Sequence, residues 1–370
     1  MTVAELPLPT TSANPSNSTA TMKALVYHGP GKHAWEDKPR PTIQHPCDAI
    51  VRVTTSTICG TDLHILKGDL PVVPDGRILG HEAIGIVEQI GTGVSKFHVG
   101  DKVIVSCVTA DLTCDFCKKQ MYSHCSNGGW ILGYMIDGTQ AEYVRTPFAD
   151  GSLYSFPDGA DEEAMVMLSD ILPTGFECGV LNGQVKPGDT VAIVGAGPVG
   201  LAVLLTAQFY SPAKIFMIDL DDNRLKVAKQ LGATDLINSA GGHAAEQIMK
   251  LTDGAGVDVA IEVVGLPATF EICQSIVAAG GRIANVGVHG KPVELHLEKL
   301  WDRNIAITTR LVDTVTTAML LKIVRSGKVQ PAKLVTHRFP MSDIMKAYAT
   351  FGNAAKEGAL KVVLTNAAPH

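Results

Sequence analysis

The sequence predicts an α/β protein in which a doubly wound parallel sheet is joined to a second, irregular β-rich domain. Three observations carry that reading. Residues 190–194 form an unbroken apolar run, followed at once by a glycine loop and a helical pattern from 198 to about 209. Strand-like and helical segments then alternate, as βαβ units of a parallel sheet do. Before about residue 170 the texture differs, with short apolar or alternating runs broken by glycine. The 370 residues suit two domains, or three, at roughly 150 residues each.

Along the chain, residues 1–21 hold one acid, Glu5, and no Lys or Arg. A secretory signal needs a basic start and an apolar stretch, and a mitochondrial presequence needs arginines; neither pattern is here. A disordered tail is expected, with folded structure starting near Met22. Strands are expected at 49–53, at 83–87 and, after a Gly-Asp turn, at 102–105. In the second half, strands at 190–194, 214–219, 258–264 and 282–287 alternate with helices at 198–209 and 223–231, the latter closed by Gly232. No fixed-period repeat is present, which excludes solenoids and propellers.

Composition narrows the function. With 46% hydrophobic and 18% charged residues the chain is globular with ample core. A formal charge of −6 argues against a nucleic-acid partner bound through a basic surface. No apolar run reaches the length of a membrane span. Eight cysteines are too sparse for a disulfide scaffold, and their clustering points to metal in a reducing compartment, the cytoplasm.

Gly195-Ala196-Gly197-Pro198-Val199-Gly200 matches G-x-G-x-x-G. A lone match is weak, but this one follows an apolar strand, opens a helix, and precedes a strand ending in Asp219. Gly195 would allow the tight turn, Gly197 the close approach of a pyrophosphate, and Gly200 the packing of helix on strand. Pro198 and Val199 begin the helix, whose N-terminus would face the phosphates. Asp219 should accept hydrogen bonds from the adenosine ribose and repel a 2′-phosphate, which favours NAD over NADP. Arg224 could partly offset that repulsion.

Two groups of residues invite a metal. In the first, Cys59, His81-Glu82 and Asp170 are scattered, and spacing alone does not bring them together. Cys59 also reads as a small buried residue, His81 as a core histidine, and Asp170 as a helix cap. The second is Cys114-x2-Cys117-x7-Cys125. Cys47, Cys107, Cys178 and Cys273 have no spacing signal and read as buried thiols.

Cys59-Gly60-Thr61-Asp62-x-His64, Gly80-His81-Glu82-Ala83-x-Gly85, the cysteine cluster and the 195–200 loop together resemble the zinc-dependent medium-chain alcohol dehydrogenases. The resemblance covers about residues 22–366. Ser169-Asp170-Ile171-Leu172-Pro173-Thr174-Gly175 is similar to the branch whose third catalytic-zinc ligand is Asp. By that likeness Cys59, His81 and Asp170 bind zinc, water or substrate oxygen takes the fourth position, and Glu82 is a neighbouring carboxylate or transient ligand. The likeness also implies a proton relay from Thr61 through the cofactor ribose to His64. Thr174 would pack on the nicotinamide, and Cys107 and Trp130 would line the substrate pocket. The implied organisation is a GroES-like catalytic domain, 22–172 plus 313–370, wrapped around an NAD-binding Rossmann domain, 173–312. In the family's structural zinc lobe a fourth cysteine stands three residues before the first. Asp111 holds that place here, and Gln120 replaces a family glycine. A zinc site of Asp111, Cys114, Cys117 and Cys125 and an empty, oxidisable three-thiol lobe both stay open.

The expected reaction is hydride transfer between NAD and an alcohol or ketone, secondary alcohols first. A polyol or amino-alcohol dehydrogenase on the same framework is the alternative. A non-enzymatic NAD-binding protein would need neither the ligand set nor Thr61 and His64. A homo-oligomer is expected, a tetramer ahead of a dimer, pairing through the strand at 282–288, which resembles the family's pairing edge.

Overall fold

The computed structural model describes residues 20–366. The expected tail lies outside the described residues as far as residue 19, and Thr21 already opens the first strand, Thr21–Tyr27.

Six parallel strands lie in the order Asp235–Asn238, Lys214–Asp219, Thr190–Val194, Val257–Glu262, Val277–Asn285 and Ala306–Thr309. The spatial order reverses beside Thr190–Val194, the first of them in sequence, and leaves a crevice at the carboxyl ends of the strands. The apolar runs are explained by burial on both faces. Val191, Ile193, Ile215 and Met217 enter one core, while Ala192, Val194, Phe216 and Ile218 enter the opposite one. The helix Pro198–Ala207 follows the first strand and is buried from Gly200 onward.

Some expected bounds shift, for local reasons. The helix expected to reach 209 is α-helical to Ala207, then tightens to a 3₁₀ turn, Gln208–Tyr210, ending on left-handed Ser211. The strand expected to reach 264 stops at Glu262, whose carboxylate accepts the Val264 and Gly265 N–H groups and so closes a turn. The strand expected from 282 begins at Val277; Gly280 and Gly281 interrupt its apolar pattern. It is also not the sheet edge. Ala306–Thr309 pairs alongside it and takes that place, with Ile307 exposed.

A second sheet runs Val335–Pro340, Lys361–Thr365, Ala49–Ile58, Ala83–Ile90, Lys102–Val105 and Leu153–Ser155, and Tyr143–Thr146 also pairs with Ala49–Ile58. The C-terminal strand Lys361–Thr365 thus pairs directly with Ala49–Ile58 from the first half, and Val335–Pro340 pairs on its outer side. Val362 pairs with Ile58, which brings Lys361 beside Cys59. A small third sheet joins His33–Pro39, Thr21–Tyr27 and Arg77–Ile78. Among the described residues, no helix is long and apolar enough to cross a membrane.

Candidate active site and metal centres

Cys59 follows the strand Ala49–Ile58 directly and is the N-cap residue of the helix Gly60–Lys67. His81 and Glu82 precede the strand Ala83–Ile90, entered through Gly80 at φ +91°, where a side chain would collide with Gln140. Asp170 precedes the helical turn Ile171–Thr174, yet its side chain makes no cap. It turns inward instead. Gly175 makes that placement possible, because a β-carbon there would lie 2.8 Å from Ala202 on the helix Pro198–Ala207. The four residues come together: one ligand atom from each lies within 4.8 Å of all the others, and all four residues are buried.

The donor set is one thiol, one imidazole and two carboxylates, which suits zinc. Asp170 Oδ2 lies 3.2 Å from His81 Nε2 and 3.7 Å from Cys59 Sγ. Its other oxygen accepts the Thr174 hydroxyl at 2.6 Å and faces the Cys107 thiol at 3.6 Å. Burial pushes the Asp170 carboxyl up, but hydrogen bonding and charge from His81 outweigh it and hold the group at about 2. Glu82 Oε2 accepts Thr57 Oγ1 and Lys361 Nζ, whereas Oε1 is buried without a partner. A buried, unpartnered carboxylate oxygen beside three other donors fits a site built for a cation.

Sequence reasoning gave no role to several residues that support this cluster. Asp62 is buried and accepts the Cys59 N–H and the Gln140 amide, with Oδ1 3.7 Å from His81 Nδ1. A carboxylate behind a histidine orients the ring toward a metal. Lys361 is wholly buried. Burial disfavours its charge, but Glu82 and Cys59 raise its pKa above the ordinary value. Asp62 sits inside the Cys59 motif, so its signal was present; Lys361 lies 279 residues from Glu82 and carried none.

Thr61 and His64 lie one turn apart on the helix Gly60–Lys67, so they share a face. Thr61 Oγ1 is 3.9 Å from Cys59 Sγ. Trp130 meets the His81 ring edge-on at 6.1 Å between centroids and stacks on Tyr134 at 4.8 Å. Cys107 is fully buried, clustered with Val108, Cys178 and Val312. Cys178 and Cys273 are buried as expected; Cys47, expected to be buried, is only half-buried, in the segment beside Gly93.

The glycine loop occupies the crevice end of the first parallel strand. Gly195 has φ +114°, and a β-carbon at Gly200 would stand 1.8 Å from the Gly195 carbonyl oxygen. At Gly197 a β-carbon would meet only the Arg224 guanidinium, at 4.0 Å. That open face beside the N-terminus of the helix Pro198–Ala207 suits a pyrophosphate. Asp219 ends the next strand and accepts the Ala196 N–H at 2.6 Å and the Asp221 N–H at 2.9 Å. Arg224 Nε is buried without a partner.

The second metal group is separate from the first. Asp111, Cys114, Cys117 and Cys125 place their ligand atoms within 4.8 Å of one another. Cys114 Sγ is 4.0 Å from Cys125 Sγ and accepts the Cys117 and Ser126 N–H groups. Asp111 accepts the Thr113 and Cys114 N–H groups and the Asn127 amide, which hold its carboxyl well below the usual carboxylate range. Carboxylate and three thiols fit a zinc lobe. Gln120 has φ +59°, a left-handed conformation that explains the glycine of related lobes.

Residues 45–158 match the family model for the alcohol dehydrogenase GroES-like domain, and residues 198–323 match the zinc-binding dehydrogenase model. An alcohol dehydrogenase of Cupriavidus necator is 37% identical, over 94% of this chain and 99% of its own. An NADP-dependent isopropanol dehydrogenase of Entamoeba histolytica is 33% identical, over 86% of this chain and 89% of its own. The apo structure of zinc-dependent alcohol dehydrogenase 2 from Streptococcus pneumoniae superposes with TM-score 0.91 and 56% identity, over 94% and 99% of the two chains. A 25% identical Escherichia coli protein was solved with NADH (TM-score 0.84, 93% and 99% covered). A 26% identical Sinorhizobium meliloti protein was solved with NADP (TM-score 0.82, 94% and 99% covered).

The chain belongs to the zinc-dependent medium-chain alcohol dehydrogenase family. It is an oxidoreductase acting on small-molecule alcohols or ketones with zinc and a nicotinamide cofactor.

Proposed function

We propose that Cys59, His81 and Asp170 hold the catalytic zinc, and that the enzyme interconverts secondary alcohols and ketones with NAD. The observation that carries this is the buried convergence of these three residues and Glu82, with Glu82 Oε1 left unpartnered among them. Zinc bound there supplies a Lewis acid that lowers the pKa of an alcohol hydroxyl. Asp170 is oriented by Thr174, which takes one of its oxygens and leaves the other facing His81 and Cys59. Thr61 Oγ1 and His64, on one helix face, are the protein members of the path by which the alcohol proton leaves. Trp130 walls the substrate space with apolar surface, and Cys107, expected beside it, is instead wholly buried behind Asp170. Thr174 stays assigned to the nicotinamide, with its hydroxyl anchored on Asp170.

NAD is favoured over NADP because Asp219 presents a carboxylate at the end of the second parallel strand. Arg224, beside Gly197, is the residue through which NADP would be admitted. We assign a second zinc to Asp111, Cys114, Cys117 and Cys125. We further propose the domain division 22–172 plus 313–370 around 173–312, supported by the pairing of Lys361–Thr365 with Ala49–Ile58, which carries Val335–Pro340 into the same sheet. A homotetramer or dimer would pair through Ala306–Thr309, whose neighbours Trp301 and Leu311 are exposed. Eight free thiols suit the reducing cytoplasm.

The test is a substrate panel read as NADH absorbance, with and without chelator. Turnover of 2-butanol with NAD, above sorbitol and threonine and abolished by chelation, is expected. Activity on the polyol or amino alcohol alone would replace this substrate class.

A further inference from the structure

We propose that Asp69 is a positioning residue for His64, fixing which ring nitrogen of the proton path is free to accept. His64 lies in the last turn of the helix Gly60–Lys67. Gly68 caps it at φ +83°, a left-handed turn that costs glycine little and reverses the chain. The Asp69 N–H then donates to the His64 carbonyl oxygen at 3.0 Å. The Asp69 carboxylate meets the same residue's ring: Oδ2 is 2.8 Å from His64 Nδ1. One residue thus grips His64 at backbone and side chain.

A carboxylate only accepts, so Nδ1 carries the hydrogen and, in the neutral ring, Nε2 is left as the acceptor. Setting the tautomer through the partner of the other nitrogen is how histidine is readied for proton transfer. Among the described residues, Asp69 is the only carboxylate within ion-pair distance of His64. Asp69 also stands where the two domains meet. A β-carbon on Gly290, in the loop after the strand Val277–Asn285, would lie 3.2 Å from the Asp69 carboxyl carbon. The loop's glycine leaves room for that carboxylate.

This rests on the reading of His64 as a proton carrier, and the experiment separates the two. Asp69→Asn, His64→Ala and the double variant are compared as zinc-loaded enzymes, with KM and kcat for NAD and 2-butanol. Nitrogen-15 histidine spectra report the tautomer of His64 in the unmodified chain and in Asp69→Asn. Asp69→Asn is expected to lower kcat about ten-fold with KM for NAD and zinc content unchanged, less than the roughly 10²- to 10⁴-fold that an acid–base group itself supplies. Its spectrum should lose the Nδ1–H tautomer, and it should have no further effect in the His64→Ala chain. An unchanged kcat or tautomer in Asp69→Asn, while His64→Ala is slow, overturns the role of Asp69 alone. An equal slowing in both backgrounds overturns it too, as a general structural effect. A His64→Ala enzyme as fast as the unmodified one overturns the proton path itself, and this proposal with it.

Discussion

Lys361 and Glu82 form an ion pair from which water is excluded: Nζ lies 2.5 Å from Oε2, with side chains 0% and 1% exposed. The cation comes from the last strand and the carboxylate adjoins a proposed zinc ligand, so the C-terminal segment is built into the floor of the site. Removing one partner of a buried pair leaves an uncompensated charge, typically at a cost of about 3–5 kcal/mol. Lys361→Met should therefore destabilise the chain by about that much in chemical denaturation. Adding Glu82→Gln should recover much of the loss. A single variant as stable as the unmodified chain would show that the pair carries little.

Asp219→Gly should raise KM for NAD and relax discrimination against NADP. The substitution removes ribose hydrogen bonds and repulsion of a 2′-phosphate together, an effect of about 2–4 kcal/mol in relative preference. It also frees the Ala196 N–H that Asp219 now accepts. Steady-state kinetics with both cofactors measure the change, and an unmodified enzyme that prefers NADP would reverse the assignment.

The cysteine lobe predicts two zinc per chain by elemental analysis. Cys114→Ser should lower thermal stability and release one zinc while turnover per folded chain persists, because metal held by the folded state adds to its stability. Gln120→Gly should stabilise the lobe by about 1 kcal/mol, since the position is left-handed. One zinc per chain and a silent Cys114→Ser would mean an open lobe.

Ile307, on the outermost strand of the parallel sheet, should lie in the contact between copies. Light scattering of the unmodified chain should show a dimer or tetramer, and Ile307→Asp should shift it to smaller species. A monomer at micromolar concentration would remove this edge as an interface.

The parallel half was legible because burial on both faces writes continuous apolar runs, and the glycines at 195 and 200 answer a backbone need visible in the motif. What the sequence hid was distance. Cys59, His81 and Asp170 are joined by sheet pairing and by the close packing at Gly175, and neither leaves a local pattern. Lys361 was invisible for the same reason: a lysine in an apolar strand reads as an outward residue until the pairing of Val362 with Ile58 is known. Resemblance supplied the proposed ligands in advance; it carried Asp62 only as a motif letter without a role, and it did not supply Asp69 or Lys361. The strand at 282–288 does lie near the end of the sheet, but the outermost strand, Ala306–Thr309, went unread because it is short and its pattern faint.

The central claim is that Cys59, His81 and Asp170 hold the catalytic metal. Zinc content of purified Asp170→Ala, measured beside its alcohol oxidation, tests it most directly. The variant should lose one zinc of two and all detectable turnover, keeping the lobe zinc that Cys114→Ser removes. An Asp170→Ala enzyme that retains both zinc ions and its activity would contradict the assignment.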